Sequence, residues 1–254
     1  MAKRWFGAVI ATMLCTGAQA ADIGMSRAPM TAILAAPSYA WTGFYVGGHL
    51  GAGNIRNNYL GVSSFTVATP WIGYSIGDRF SANATGIVGG VQLGYNWQVG
   101  SNIVAGLEAS LSLSSLSHFF IGPTGAPDDE YRTRLPVFGS LTGRIGYAAD
   151  RALFYVKGGL AVGHIRFALE DFTPPIVGGF RHSTTRAGWT VGAGAEFAVA
   201  RNWTIGLEYN YADYGSFDAG SGNLDIMRVS TKTHAVTIRA NYLFSTGPGI
   251  VARY

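Results

Sequence analysis

Eight stretches of this sequence alternate apolar residues with small or polar ones, and this period of two restricts the fold more than any other feature. In the last stretch, Val236, Ile238 and Ala240 fall on one face, while Thr237 and Arg239 fall on the other. A strand with this pattern faces two different environments. We expect the apolar face to meet lipid and the polar face to point into a membrane-spanning barrel.

The eight stretches are long enough to cross a membrane as tilted strands, which need about 9–11 residues each. The predicted strands cover residues 44–54, 87–97, 102–113, 135–147, 152–166, 187–198, 203–214 and 229–244. Their even number places both ends of the barrel on the same side of the membrane, which we expect to be the periplasmic side.

The links between the predicted strands alternate in length. The short links contain Gly, Asn or Asp, which favour tight turns, and they are residues 98–101, 148–151 and 199–202. The long links are residues 55–86, 114–134, 167–186 and 215–228. Short periplasmic turns and long external loops are typical of outer-membrane barrels. The sequence therefore predicts an all-β fold, an eight-stranded antiparallel transmembrane β-barrel.

The N-terminal residues have the pattern of a secretory signal peptide. Lys3 and Arg4 precede an apolar run, and Ala18 and Ala20 provide the small-x-small pattern of a cleavage site. The apolar run is too short to cross about 30 Å of hydrocarbon as a helix. The predicted organisation is a cleaved signal peptide at 1–20, a periplasmic linker at 21–41, the barrel at 42–244 and a C-terminal extension at 245–254.

The composition agrees with a membrane location and argues against several other classes of protein. Only 13% of the residues are charged, which is unusually few for a soluble protein. The net charge of +4 falls to +2 without Lys3 and Arg4, too little to indicate nucleic acid as a partner. Cys15 is the only cysteine and lies in the predicted signal peptide, so the exported chain would have no disulfide.

The alternation sends every ionisable residue in the middle of a predicted strand to the inside of the barrel. These inward residues, with one glutamine, are Gln92, Glu108, Arg144, Lys157, Glu196, Glu208 and Arg239. Because buried charges need partners, we expect the ion pairs Glu108–Arg144, Lys157–Glu196 and Glu208–Arg239. We expect the inward glycines to leave room for these side chains, and they are Gly94, Gly106, Gly192, Gly194 and Gly206. The network is interpreted as a structural core, with pore lining as the alternative.

Aromatic residues concentrate near the predicted periplasmic ends of the strands. Aromatic rings are favourable at a lipid–water boundary. The predicted periplasmic girdle consists of Trp41, Phe44, Tyr95, Trp97, Tyr147, Phe154, Phe197, Trp203, Tyr242 and Phe244.

A search for catalytic and metal-binding patterns finds none. No histidine has a serine two residues later, as a lipid A deacylase of this kind of barrel would need. His164 near the outer end of a predicted strand is interpreted as a rim residue that meets lipopolysaccharide head groups. The histidines are too dispersed for a metal site. We therefore expect no enzymatic activity, no cofactor and no metal.

Four segments resemble the small porin-like outer-membrane barrels of alphaproteobacteria, a family of surface immunogens with an OmpA-like barrel. The segments are Trp41–Gly48, Gly89–Trp97, Tyr155–Ala161 and Asn241–Phe244. The resemblance implies an abundant outer-membrane protein that stabilises the envelope, in some members called a porin. Members of the family usually end at the terminal aromatic residue that the barrel-assembly machinery is thought to read. This chain continues for ten residues after Phe244.

The expected function is a structural and surface role in the outer membrane. One alternative is a narrow diffusion channel. Another is an adhesin or ligand-binding protein that contacts host or environmental ligands through its loops. The adhesin alternative rests on aromatic residues in the first long link, namely Tyr59, Phe65, Trp71, Tyr74 and Phe80. The expected partners are outer-membrane lipid, lipopolysaccharide and the barrel-assembly machinery.

Overall fold

A computed structural model describes residues 39–63, 77, 79–121, 130–171, 178–221 and 224–245. Ala18 and Ala20, with most of the predicted linker and all but the first residue of the C-terminal extension, lie outside these ranges. Among the residues described, no helix is long and apolar enough to cross a membrane.

The described residues form nine antiparallel β-strands in one sheet. In chain order they are β1 (Gly43–Ser63), β2 (Arg79–Val99), β3 (Ile103–Ser114), β4 (Ser117–Ile121), β5 (Glu130–Ala149), β6 (Ala152–Asp171), β7 (Gly178–Ala198), β8 (Trp203–Ser221) and β9 (Leu224–Ser245).

The sheet closes on itself because β3 pairs with β5, while β1 pairs with both β2 and β9. β3 and β4 are two segments of one wall of the barrel, since both pair with β5 and only Ser115 and Leu116 separate them. The nine segments therefore make the eight-stranded closed barrel that the alternation predicts.

Tight turns join the strands at the end of the barrel that carries both the start of β1 and the end of β9. Gly100 (φ 75°) and Asp150 (φ 53°) provide left-handed residues in two of these turns. Glycine adopts this conformation without steric cost, and Asp tolerates it better than most residues. Gly43 pairs with Ser245, so β1 and β9 meet at this same end, as the even strand count predicts.

A band of apolar residues covers the outside of the barrel next to the turns. On β6, the exposed residues Phe154, Val156, Leu160 and Val162 alternate with buried ones. At about 3.3 Å per residue, the eight steps from the first to the last span about 26 Å along the strand. Because such strands are tilted by about 35–45°, this length corresponds to a height of about 20 Å, close to the apolar band of about 25 Å in outer-membrane barrels.

Beyond this band the alternation continues but its polarity is reversed. On β6 the inward residues become apolar at Ile165 and Phe167, while Arg166 between them is exposed. On β1, Ile55 and Tyr59 are buried while Arg56 is exposed, although Asn57 between them is a buried polar residue. The outer part of the barrel thus has an apolar interior and a polar surface, as a barrel in water would have.

The strands therefore extend well into the segments that the sequence predicts as long loops. β1 continues to Ser63, and β2 begins at Arg79 instead of residue 87. Of the loop aromatics, Tyr59 is 2% exposed and stacks on Phe80 with ring centroids 4.9 Å apart. It is thus part of the interior and not of an exposed aromatic surface. Phe65, Trp71 and Tyr74 lie outside the described residues.

Candidate functional site in the barrel interior

The six inward charged residues lie together in the middle of the barrel, all of them buried. They come from six strands, one residue from each, with three carboxylates facing three cationic groups. Gln92 is buried beside them. We refer to Glu108, Arg144, Lys157, Glu196, Glu208 and Arg239 as the charge network.

Arg239 lies at the centre of the charge network. Its guanidinium contacts the carboxylates of both Glu108 and Glu208, and it donates a hydrogen bond of 2.8 Å to the hydroxyl of Tyr155. The side chain is 1% exposed. One cation is therefore shared between two acids from β3 and β8, which are not neighbours in the barrel wall.

Lys157 also bridges two acids. Its Nζ lies 2.9 Å from Glu108 Oε1 and 2.7 Å from Glu208 Oε1. The predicted pair Lys157–Glu196 is wrong, because Glu196 instead contacts Arg144 at 2.9 Å. The prediction paired residues on adjacent strands. In an eight-stranded barrel the interior is only wide enough for side chains, so groups from strands two or three apart around the ring also meet.

Arg144 is held by three partners. It lies 2.9 Å from Glu196 Oε1 and 3.7 Å from Glu108 Oε2, and its Nε and Nη2 both donate to Asn96 Oδ1. The guanidinium also lies 4.5 Å from the ring centroid of Tyr45, within the range of a cation–π interaction. The predicted pair Glu108–Arg144 is present, but this contact is longer than the contact of Arg144 with Glu196.

Two tyrosines that the sequence reasoning missed complete the charge network. Tyr45 donates to Glu108 Oε2 at 2.7 Å, and Tyr155 donates to Glu208 Oε2 at 2.6 Å. Both hydroxyls occupy space that a glycine leaves open. A Cβ on Gly94 would lie 2.5 Å from the Tyr45 hydroxyl, and a Cβ on Gly194 would lie 2.5 Å from that of Tyr155.

The two tyrosine–carboxylate pairs are equivalent positions of an internal repeat. The segment Phe44-Tyr45-Val46 of β1 recurs as Phe154-Tyr155-Val156 of β6, and Gly106-Leu107-Glu108 of β3 recurs as Gly206-Leu207-Glu208 of β8. In register, Tyr45 pairs with Gly94 and Gly94 with Glu108. The same relation joins Tyr155, Gly194 and Glu208. This repeat is the signal in the sequence that could have identified both tyrosines.

Gln92 connects the charge network to further polar groups. It donates to Asn241 Oδ1 at 2.7 Å, and Asn241 in turn donates to Glu196 Oε2 at 3.2 Å. On its other side, Gln92 Oε1 lies 2.7 Å from His49 Nδ1, and His49 Nε2 lies 2.9 Å from Ser112 Oγ. These hydrogen bonds link polar groups of the interior across the barrel.

Apolar clusters lie on both sides of the charge network. The inner cluster, next to the turns, includes Trp41, Val104, Leu153 and Leu243. The outer cluster includes the aromatic residues Tyr59, Phe167, Tyr214 and Phe217, together with aliphatic residues such as Ile55, Leu116 and Leu135.

A small cavity remains between the charge network and the outer cluster. It has a volume of about 50 Å³, and its lining includes His49, Glu108, Ser112, Phe138 and Tyr214. A buried water needs about 10–15 Å³ of such volume. The cavity therefore has room for about four waters, and the residues around it offer those waters hydrogen-bond partners.

Trp41 is the one member of the predicted girdle that does not face outward. It is 1% exposed, and its indole Nε1 donates to the carbonyl of Asp150 at 3.1 Å. Its ring packs edge-on against Tyr39 with centroids 4.8 Å apart. Tyr39 and Trp41, just before β1, therefore lie in the mouth of the barrel. The ring fills the interior there because the indole finds a carbonyl partner inside.

The other nine predicted girdle residues are exposed or half-buried on the outer surface near the turn end. Phe44 contacts Phe244 across the β1–β9 pair at a centroid distance of 5.8 Å, and Trp203 contacts Tyr242 at 5.4 Å. These ring pairs connect neighbouring strands at the level where the apolar band ends.

The described residues give no support for a metal centre or a catalytic pair. No group of three or more His, Cys, Asp or Glu side chains among them could hold a metal ion. His164 is half-buried at the outer end of the apolar band, where its Nδ1 lies 3.2 Å from Thr185 Oγ1. The carboxylates of the charge network are saturated by cations and hydroxyls, which leaves them suited to a structural role.

Comparison with known proteins agrees with this architecture. The family model described as "Outer membrane protein beta-barrel domain" matches residues 7–244. The chain is 32% identical over 240 residues to the 31 kDa outer-membrane immunogenic protein of Brucella melitensis biotype 1, covering 93% of this chain and 98% of that protein. It is 35% identical over 190 residues to the 22 kDa outer membrane protein of Rhizobium leguminosarum bv. viciae, covering 74% and 72% respectively.

Among solved structures, Neisserial surface protein A is similar at 15% sequence identity and a TM-score of 0.42, covering 80% of this chain and 98% of that one. The match of the family model over nearly the whole chain and the identity to the Brucella protein settle the relationship. The chain belongs to the outer membrane protein β-barrel family and is an outer-membrane protein.

Proposed function

We propose that this protein is a closed structural barrel of the outer membrane, which stabilises the envelope and exposes the outer part of its wall on the cell surface. The observation that carries the proposal is the filled interior. The charge network occupies the middle of the barrel, and an apolar cluster lies on each side of it. A conduit for hydrated ions would have to pass all three layers.

The charge network fits a structural role for a further reason. Its six charges balance, and each carboxylate contacts at least one cation within 3 Å. Buried ion pairs of this kind contribute less to overall stability than their number suggests, because desolvation costs offset much of the attraction. They do make the loss of one partner expensive. That favours a single arrangement of the strands around the network.

Conductance of the refolded protein in a planar bilayer tests the closed barrel. We expect no steady conductance step from protein whose folding is confirmed by heat-modifiable migration on a gel. Steady ion-selective steps whose selectivity changes in the variant Arg239→Gln would refute the proposal. That result would favour the alternative of a narrow diffusion channel lined by the charge network.

The envelope role is tested in the native host. Loss of the gene should increase leakage of a periplasmic enzyme and sensitivity to detergent, and a plasmid copy should restore both. The variant Arg239→Gln is the matched control for folding. It should restore envelope integrity only in proportion to the amount of folded barrel that accumulates. Normal integrity in the deletion strain would contradict this part of the proposal.

We also propose that the barrel has no catalytic activity on lipids. Support comes from the partners of its acids: Glu108 and Glu208 both lie against Lys157 and Arg239 and accept from tyrosine hydroxyls. Both acids are occupied by these partners, and neither is free to act as a base. Lipid A of unchanged mass after overexpression is the expected result, and removal or addition of an acyl chain would refute it.

Recognition of an external ligand is the second candidate function. The outer wall reaches beyond the apolar band on most strands, so it can carry a binding surface outside the membrane. Replacement of the tip of the β1–β2 hairpin, residues 64–76, by a short glycine-containing turn would test it. Loss of binding to host cells or matrix, with normal migration on a gel, would favour an adhesin over a purely structural barrel.

A further inference from the structure

A group of basic residues lies on the outer wall of the barrel, where β5, β6 and β7 leave the apolar band. Five of these residues line a groove of about 480 Å³, namely Arg132, Arg134, His164, Arg166 and Arg181. The arginines at 134, 166 and 181 are exposed, and the other two residues are half-buried. We refer to these five residues as the basic groove.

Two arginines of the basic groove face each other directly. Arg134 on β5 is the register partner of Arg166 on β6. Side chains in this relation start from Cβ atoms about 4.5–5.5 Å apart, and like charges there destabilise the pairing of the strands. Neither guanidinium has a salt bridge to a carboxylate within the part of the chain that the structure describes. In register, Glu130 on β5 lies opposite Glu170 on β6, four residues further along each strand.

A second like-charge pair in the same outer part of the wall is compensated. Arg56 on β1 is the register partner of Lys232 on β9, but Lys232 Nζ lies 3.5 Å from Asp213 Oδ2. Around the ring, β9 lies three strands from β6 and β1 lies four, so this pair is on the opposite wall from β5 and β6. Among the side chains that the structure describes, one like-charge pair therefore has a carboxylate beside it, while the Arg134–Arg166 pair has none within salt-bridge distance.

The height of the basic groove indicates its ligand. Arg166 follows Val162, the last exposed apolar residue of β6, by four residues, or about 13 Å along the strand. Since the strand is tilted, the guanidinium lies at the level of the head groups just above the hydrocarbon. Both termini of the described barrel are at the other end, so this is the external leaflet.

We propose that the basic groove binds the phosphate groups of the glycolipid of the outer leaflet, with Arg134 and Arg166 as its centre. Guanidinium groups bind phosphate through paired, charge-assisted hydrogen bonds. A phosphate between the two arginines would replace their repulsion by two attractive contacts. The ligand chemistry is an anionic phosphate carried on a lipid, and the inference does not depend on whether the barrel conducts.

Binding of diphosphorylated lipid A to the refolded protein in neutral detergent tests the proposal. Native mass spectrometry or a fluorescent lipid A analogue measures the dissociation constant. We expect Arg134→Gln/Arg166→Gln to weaken binding at least about tenfold, since each charge-assisted contact is worth about one factor of ten. Arg56→Gln/Lys232→Gln, which removes the same charge from the opposite wall, should leave the affinity unchanged.

Three further measurements separate the sources of the signal. Dephosphorylated lipid A should bind to the wild-type protein as weakly as diphosphorylated lipid A binds to the double variant. Inorganic phosphate at a matched concentration should not displace lipid A. In detergent without lipid A, Arg134→Gln should raise the midpoint of urea unfolding, because the like-charge repulsion is relieved.

Equal affinity of the wild type and the Arg134→Gln/Arg166→Gln variant would overturn the proposal. So would equal binding of dephosphorylated lipid A, or displacement of lipid A by inorganic phosphate alone. Preference for a sulfated polysaccharide over lipid A would overturn it as well, and would assign the basic groove to an external glycan instead.

Discussion

Replacement of Arg239 by methionine is the sharpest perturbation of the interior, because it removes one charge and keeps most of the side-chain volume. Arg239 is 1% exposed and is shared by Glu108 and Glu208. The variant leaves three buried carboxylates with two cations. Loss of one partner of a buried ion pair costs about 3–5 kcal/mol, so we expect a destabilisation of about 4 kcal/mol.

A second substitution separates net charge from packing. Glu208→Gln in the Arg239→Met background restores balance, with Glu108 and Glu196 against Arg144 and Lys157. The double variant should therefore be more stable than the sum of the single effects predicts, by about 2 kcal/mol, within the range for residues that share one network.

Urea unfolding in lipid vesicles, followed by tryptophan fluorescence, measures each free energy of unfolding. Lys232→Met is the matched control, because it removes a cation from the half-exposed pair with Asp213 and should cost only about 0–1 kcal/mol. Strict additivity of the two interior substitutions would refute the argument that the network acts as a unit. A cost below 1 kcal/mol for Arg239→Met would refute the argument that its charge is needed.

The remaining predictions concern sites away from this centre. Gly194→Ala should lower the midpoint of urea unfolding, because its Cβ would lie 2.5 Å from a buried tyrosine hydroxyl. Gly143→Ala should leave the midpoint unchanged, because no atom lies within 4 Å of the added Cβ. Trp41→Ala should cost about 3–5 kcal/mol in the same assay, the usual price of removing a buried aromatic ring; an unchanged midpoint would show that the ring does not support the barrel. The hydrogen bond from Arg228 lowers the pKa of Asp218 below its ordinary value of 3.8. An NMR titration should find that low pKa in the wild type, and Arg228→Gln should raise it; equal values would contradict the role of the pair.

The membrane part of the fold follows from the sequence because lipid imposes a strict rule on it. Residues such as Ile238 must be apolar where they face hydrocarbon, and their neighbours must be polar or small where the interior is polar. The alternation therefore predicts the eight strands, their order and the inward position of all six charges. The turns also follow from the sequence, since Gly100 and Asp150 are residue types that adopt or tolerate the left-handed backbone angles found there.

The same rule could not predict the outer ends of the strands, because there the apolar residues face inward and the polar residues face outward. Above the hydrocarbon, Arg56 and Arg166 point outward and Ile55 and Ile165 point inward. A search for apolar residues on the lipid side stops at that level, although the period of two continues. A search for the period alone, whatever its sign, would have extended β1 and β6 correctly.

The partners within the charge network could not be predicted from the sequence for another reason. Register fixes which Cα atoms are neighbours, but Lys157 and Arg239 are long enough to cross the interior. The choice between Glu108, Glu196 and Glu208 then depends on the volume that other side chains leave free. The tyrosine hydroxyls contact two of these acids, in space that glycines leave open, and so help to decide which cation each acid meets.

Each half of the repeated barrel is electrically balanced on its inner face. The strands from β1 to β5 contribute Glu108 and Arg144, and those from β6 to β9 contribute two acids and two bases. An unpaired charge in the hydrocarbon core is costly during insertion. The two neutral halves still depend on each other, because Glu108 of the first half lies against Lys157 and Arg239 of the second, and Arg144 of the first lies against Glu196 of the second. The short ion pairs therefore act as clasps between the two halves of the repeat.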